Sequence, residues 1–428
     1  MSSYTLRGSE PSRVVTGLNS SSPGPYHMLS KYLPFSNLDE HEWWHHVAPI
    51  LERLLVGSDY DLHHQYQHLA LYGLHVVPLL GPFPRSSHAG IYMNPLGSIG
   101  SLELSQNFSK SDTTVRLSFE PTRYTATTGT DLCNRFATDL AFSRFKQIGI
   151  KFDPQLYHDL INRISMTDED EKAYRDRSCL DNLPFSGQIL LGLDLKGSEV
   201  SLKLYLTPVL KSIVTGVPPL TLVYDALQAI GCPHTSALCW IEKFVSTSST
   251  ETLSFFTFSC DLVAPPSTRF KFYFAETLVT MDRMTQIWTL NGQLTDAGTE
   301  QGLILLRELW DAFQIPDGQH QALSLKRVCT NDPATAYPLL FNLEIHPNNA
   351  PPQVKIYFPV AGIEDAKVAD ALDGFFAKHG FCQPAIMYRK HLPTIVTGLD
   401  LHDATHLQMW VSFAYSEKRG PSVTVYYH

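Results

Sequence analysis

Residues 267–276 read STRFKFYFAE, and how this stretch divides decides the fold. In a β-strand successive side chains point to opposite faces. Arg269, Lys271 and Tyr273 therefore share one face, and Phe270, Phe272 and Phe274 share the other. Two cations and a phenol stand in file, as if aimed at one anion, with a wholly aromatic back.

The pattern recurs. VSLKLYLTP (200–208) sets Lys203 and Tyr205 against Leu202, Leu204 and Leu206. QVKIYFP (353–359) sets Lys355 and Tyr357 against Val354, Ile356 and Phe358. VRLSFEP (115–121) sets Arg116 and Ser118 against Val115, Leu117 and Phe119, and SVTVYY (422–427) sets Thr424 and Tyr426 against Val423, Val425 and Tyr427. These strands centre near residues 117, 204, 271, 356 and 425, which suggests a repeated supersecondary unit looser than a solenoid period.

Each strand has an antiparallel partner in reach. GSLELSQNF (100–108) precedes VRLSFEP and puts Glu103, Ser105 and Asn107 on one face. Glu103 faces the side of Arg116 only if the hairpin register allows it; otherwise it is an exposed strand glutamate. QILLGLDL (188–195) turns through Lys196, Gly197 and Ser198 into the strand of Lys203. Residues 253–263 pair with the opening stretch, 339–345 with the strand of Lys355, and 408–415 with the last strand. Helices are predicted over 42–55, with Pro49 kinking or restarting the chain, and over 62–74, 131–149, 154–164, 222–230, 276–290, 296–313 and 363–379. Residues 1–25, rich in Ser, Gly and Pro, read as a flexible lead-in to a single domain spanning 26–428.

Five hairpins give ten antiparallel strands, and their apolar files need helices to cover them. An open sheet would leave the Arg, Lys and Tyr face in water, where nothing selects it. The reading is an α+β protein: a closed ten-stranded antiparallel β-barrel, ringed by helices, whose polar file lines the lumen.

Composition narrows the function classes. The chain has 428 residues, 43% hydrophobic and 18% charged, with a formal net charge of -9. That balance disfavours a general nucleic-acid or anionic-membrane partner, so a local cationic cluster reads as a site. Seven cysteines without framework spacing read as reduced thiols, mostly in the core. Neither a signal peptide nor an apolar run of about 20 residues is evident, and cytoplasmic is the default location.

Two motifs invite other chemistry. His41, Glu42 and His45 form an HExxH on a helix, which in zinc hydrolases binds metal, yet no third ligand is signalled and Trp43 and Trp44 read as core. DEDEK (168–172) follows Thr167 and reads as a capped acidic first turn. It is not the DDxxD with which magnesium-dependent prenyl synthases hold diphosphate.

Together, WWHHVAPILERLL, LGPFP, LELSQNF with VRLSFEP, LKLYLTP, RFKFYF, VKIYFPV and the terminal hairpin resemble the fungal aromatic prenyltransferases of the dimethylallyltryptophan synthase type, from about residue 30 onward. The resemblance implies an αββα prenyltransferase barrel that transfers a dimethylallyl group from dimethylallyl diphosphate to an indole-type ring by Friedel-Crafts alkylation, without a metal or other cofactor. It implies diphosphate contacts from Arg116, Lys203, Tyr205, Arg269, Lys271, Tyr273, Lys355, Tyr357 and Tyr426, a catalytic Glu103 accepting from the indole N–H, and Trp410 beside the acceptor or prenyl group. Three positions depart from the family. Lys355 stands where many members carry glutamine, Trp410 where many carry tyrosine, and LSFFTFSC (253–260) lacks the arginine that holds free tryptophan's carboxylate. A neutral or larger indole is then the expected acceptor. A non-catalytic barrel binding an anionic lipid or metabolite, and a zinc hydrolase, are the other readings.

Overall fold

The computed structural model describes residues 24–85, 102–124, 134–175, 187–232, 235–322, 337–347, 351–396 and 398–427. Among the described residues, twelve strands run in order: β1 (Leu102–Phe108), β2 (Thr113–Phe119), β3 (Ile189–Lys196), β4 (Glu199–Leu206), β5 (Leu253–Asp261), β6 (Phe270–Glu276), β7 (Leu278–Val279), β8 (Gly318–Gln319), β9 (Leu339–Ile345), β10 (Gln353–Pro359), β11 (Gln408–Ser416) and β12 (Gly420–Tyr427). Ten of them close an antiparallel barrel in the order β1-β12-β11-β10-β9-β6-β5-β4-β3-β2, and β7 pairs with β8 outside it. All five expected hairpins are present.

Alternation explains the layers. Phe270, Phe272 and Phe274, with Leu202, Leu204 and Leu206, are buried outward beneath helices. Helix Pro154–Ile164 packs on β4, Pro219–Ala229 on β5, Thr235–Ser246 on β9 and Ala297–Phe313 on β11. Burying that apolar file between sheet and helix is the main driving force for the barrel. The opposite file then has only the lumen to face.

Local signals set several boundaries. The Asn37 side chain accepts from Glu40 N at 2.9 Å, so the first long helix begins at Leu38, earlier than expected, and it runs to Gly57. It does not restart at Pro49, because Trp43, Trp44, Val47, Leu51, Leu54 and Leu55 bury one continuous face across the proline. The helix predicted over 276–290 is shorter than expected. Glu276 ends β6, Leu278–Val279 form an extra strand, and Thr280 caps a helix over Met281–Trp288. The acidic run is capped as read: Thr167 Oγ1 accepts from Asp170 N at 3.2 Å, and Asp170 Oδ2 from Thr167 N at 2.9 Å.

Residues 1–23 of the expected lead-in lie outside the described residues, whereas Pro25 already opens a short helix, Pro25–Leu29. Cys232 and Cys260 are buried as expected, but Cys239 is exposed. No helix among the described residues is long and apolar enough to cross a membrane.

Candidate active site

Register places the sequence-predicted residues on one surface. Glu103 lies opposite Ser118, and Ser105 opposite Arg116, so the first hairpin does turn Glu103 to the side of Arg116. Ser105 also lies opposite Tyr426, and Glu103 is close enough to raise that phenol's pKa. Tyr205, Tyr273, Tyr357 and Tyr426 form a continuous arc, with ring centroids 6.1, 6.2 and 5.7 Å apart in turn. Asn342 Nδ2 donates to Tyr357 OH at 2.9 Å. Burial lifts Tyr205 and Tyr357 well above the usual phenol range and Tyr426 to about 12, so all three remain hydroxyl donors at neutral pH.

The cations carry partners the sequence reading missed. Arg116 lies across from Asp194, Lys203 from Asp261, and Lys271 from Glu344. Lys203 Nζ is 2.5 Å from Asp194 Oδ2, and Arg116 Nε is 3.1 Å from Asp194 Oδ1. That second contact is an ion pair without hydrogen-bond geometry. Arg269, just before β6, spans Asp261 at 2.6 Å and Glu344 at 3.0 Å. Lys271 reaches Glu344 at 3.3 Å, and His346 reaches it at 3.0 Å. The signal for Asp194 was available: it continues the period-two file Leu190, Gly192, Asp194 on β3.

These pairs set the protonation states. Burial opposes ionisation of Asp194, but Arg116 and Lys203 outweigh it and hold its carboxyl below the usual range. Glu344 is likewise held well down, by Lys271, His346 and Arg269 against burial. Burial also opposes the charge on Lys271, yet Glu344 keeps its pKa raised. Lys203 goes the other way: burial drives it to about 7, with Arg116 and Lys271 adding repulsion that Asp194 does not cancel. Gly192 makes room here, since a Cβ would stand 3.1 Å from Tyr205 Cε2 and 3.4 Å from Lys203 Cβ.

Lys355 differs. Its Nζ donates to Thr424 Oγ1 at 3.2 Å, and Thr424 donates to Asn107 Oδ1 at 2.9 Å. Trp410 lies opposite Tyr426 and Pro359 and meets Tyr337 edge-on, with ring centroids 5.7 Å apart. Strand β5 turns Thr257, Ser259 and Asp261 to the tyrosine and lysine side, following a register shift between Phe255 and Thr257. Fixed cations, phenols and a further acid, Glu103, all in one barrel, suit an anionic leaving group beside an aromatic nucleophile.

A family model for tryptophan dimethylallyltransferase matches residues 39–391. The chain belongs to this family. It is 39% identical over 418 residues to prenyltransferase nanD of Aspergillus nanangensis, covering 94% of this chain and 95% of that one. The crystal structure of AnaPT from Neosartorya fischeri superposes with a TM-score of 0.83 at 30% identity, covering 95% of this chain and 98% of that one. NotF in complex with brevianamide F and DMSPP superposes with a TM-score of 0.82 at 29% identity, with coverage of 95% and 98%. This family member is a fungal aromatic prenyltransferase, and its closed, helix-ringed barrel is the family's.

Membership removes the two alternative classes. The HExxH helix is also engaged otherwise: Glu42 pairs with Arg85 at 3.0 Å, Tyr26 OH lies 2.8 Å from His45 Nδ1, and Trp43 and Trp44 are fully buried. Among the described residues no group of three or more His, Cys, Asp or Glu could hold a metal ion.

Proposed function

We propose that this prenyltransferase moves a dimethylallyl group from dimethylallyl diphosphate onto a neutral, substituted indole without a metal, within one catalytic domain spanning 26–428. The observation that carries the reading is the convergence of Arg116, Lys203, Arg269, Lys271 and Lys355 on one tyrosine-lined surface. The pairing of β1 with β12 supports the single domain, with 1–25 as its lead-in. The absence of an apolar membrane helix among the described residues leaves a cytoplasmic site of action open to it.

Ionisation of the allylic C–O bond turns the trianionic donor into a tetra-anionic pyrophosphate and a carbocation. The five cations and the phenols of Tyr205, Tyr273, Tyr357 and Tyr426 hold the phosphate oxygens by charge-assisted hydrogen bonds. The tyrosine ring faces attract the cation and keep water from it. Glu103 accepts from the indole N–H, which grows more acidic as the ring is attacked, and so feeds electron density to the new C–C bond. Trp410 flanks the acceptor. The Thr257, Ser259 and Asp261 file on β5 offers no cation for a free amino acid's carboxylate, which favours an acceptor whose carboxyl is capped or absent. NotF was crystallised in complex with brevianamide F and DMSPP.

The test is incubation with dimethylallyl diphosphate and a panel of indoles, in EDTA, with product mass as the readout. Undiminished turnover with capped indoles, exceeding that with tryptophan, is expected. Loss of turnover under chelation, restored by magnesium, overturns the metal-free reading.

A further inference from the structure

Lys355 breaks a rule that the other barrel cations obey. Across the ladder, Arg116 faces Asp194, Lys203 faces Asp261 and Lys271 faces Glu344. Lys355 faces Asn342 on β9 and Ala414 on β11, both neutral. Among the described residues it makes no ion pair, and its Nζ is held by Thr424 Oγ1 at 3.2 Å and lies 5.6 Å from the Tyr357 ring centroid.

Its wider surroundings are no more welcoming to charge. From β2, β4 and β6 it is faced by Arg116, Lys203 and Lys271, which repel an ammonium. From β9, Glu344 attracts it, but that carboxylate is already shared by Lys271, Arg269 and His346. Glu103 on β1 is on the same surface, beyond Ser105 and Tyr426. Tyr357 and Tyr426 from β10 and β12 stay neutral phenols, because burial raises both. Burial is the largest effect, and with Arg116 and Lys271 it pushes the Lys355 ammonium well below the usual range.

We propose that Lys355 takes a proton from solvent as the diphosphate arrives, so that donor capture is coupled to proton uptake at this side chain. The step balances simply: the free amine, one proton from the buffer and the trianion give an ammonium paired with a phosphate oxygen. The diphosphate supplies the negative charge that the register withholds from this position, and by reciprocity protonation tightens the donor. The ligand-free lumen thereby avoids adding an unpaired cation to the paired ones at Arg116, Lys203 and Lys271. This inference rests on the reading of Lys355 as a diphosphate contact.

The experiment is calorimetric titration with the non-transferable donor analogue DMSPP in buffers of different protonation enthalpy, at about pH 8.5 where the ligand is fully ionised. Wild type, Lys355→Gln and Lys355→Met are compared. The wild type should take up more protons per bound analogue than either variant, by up to about one, and its log Kd should climb more steeply with pH. Residual uptake in the variants belongs to Lys203, which burial holds near 7. Equal proton counts in wild type and a folded variant overturn the proposal while the donor site stands. Wild-type binding with no uptake overturns it whatever the variants do. If wild type does not bind the analogue, the donor reading itself falls.

Discussion

Two arcs of the same barrel treat charge differently. Along β2 to β6 the cations come with acids already opposite them, Arg116 and Lys203 on Asp194, Lys271 and Arg269 on Glu344. Along β10 to β12 the lumen offers Lys355, Tyr357, Ser412, Thr424 and Tyr426, with neutral partners throughout. The first arc is held rigid before any ligand arrives, at the expense of part of its attraction for an anion. The second holds its groups by neutral partners alone, Lys355 on Thr424, Thr424 on Asn107 and Tyr357 on Asn342. An enzyme that must both grip and release a trianion gains from having one of each, because a wholly unpaired cationic ring would be costly to fold.

That contrast can be broken in several places. Glu103 stands apart from both arcs as the acceptor's acid, and Glu103→Gln should fold normally, by circular dichroism, while losing about 10²- to 10⁴-fold in kcat. Unchanged turnover would remove its role. Next, Lys271→Met strips a cation from the rigid arc without uncovering its acid fully, since Arg269 and His346 remain on Glu344. A drop in kcat/KM of about 10- to 100-fold is expected, consistent with about 1.4–3 kcal/mol for a charge-assisted bond.

Asp194→Asn leaves Arg116 and Lys203 facing each other. It should lower stability by about 1–3 kcal/mol in denaturant titrations, and inorganic pyrophosphate should recover more of that loss than it adds to wild type. Equal stabilisation of both would show that Asp194 does not precharge the site. The smallest effect is expected at the barrel's exterior. His41→Ala with His45→Ala should leave prenyl transfer in EDTA unchanged, whereas a steep loss restored by zinc would reopen the metal reading.

The free protein also has a signed pH dependence. Lys203 is depressed to about 7, below the unfolded value of about 10.4, so the unfolded chain binds more protons between those values. Stability of the ligand-free protein should therefore rise with pH across that window, and a thermal midpoint that falls from pH about 7 to about 9 would contradict the assignment.

The first arc was half legible in the sequence. A period of two put Arg116, Lys203, Lys271 and the tyrosines on one face, because alternation is a local property of any strand. Asp194, Asp261 and Glu344 obey the same alternation but belong to the partner strands, and only register shows that they meet the cations. Register depends on hairpin turns and on the helices outside, which single strands do not encode. The same limit hid the contrast at Lys355, whose distinctive feature is what stands opposite it. The helix expected over 276–290 is shorter for a nearer reason: Thr280 is the residue whose side chain accepts from Arg283 N and caps it, and Leu278–Val279 before it pair as β7.

The seam where β1 meets β12 joins strands more than 300 residues apart along the chain. The barrel therefore cannot close before β12 has been made, and until then β1 and β11 each lack a neighbour. Such a product matures slowly and late, and its yield in a foreign host should depend more on chaperone supply than on the sturdiness of the finished molecule.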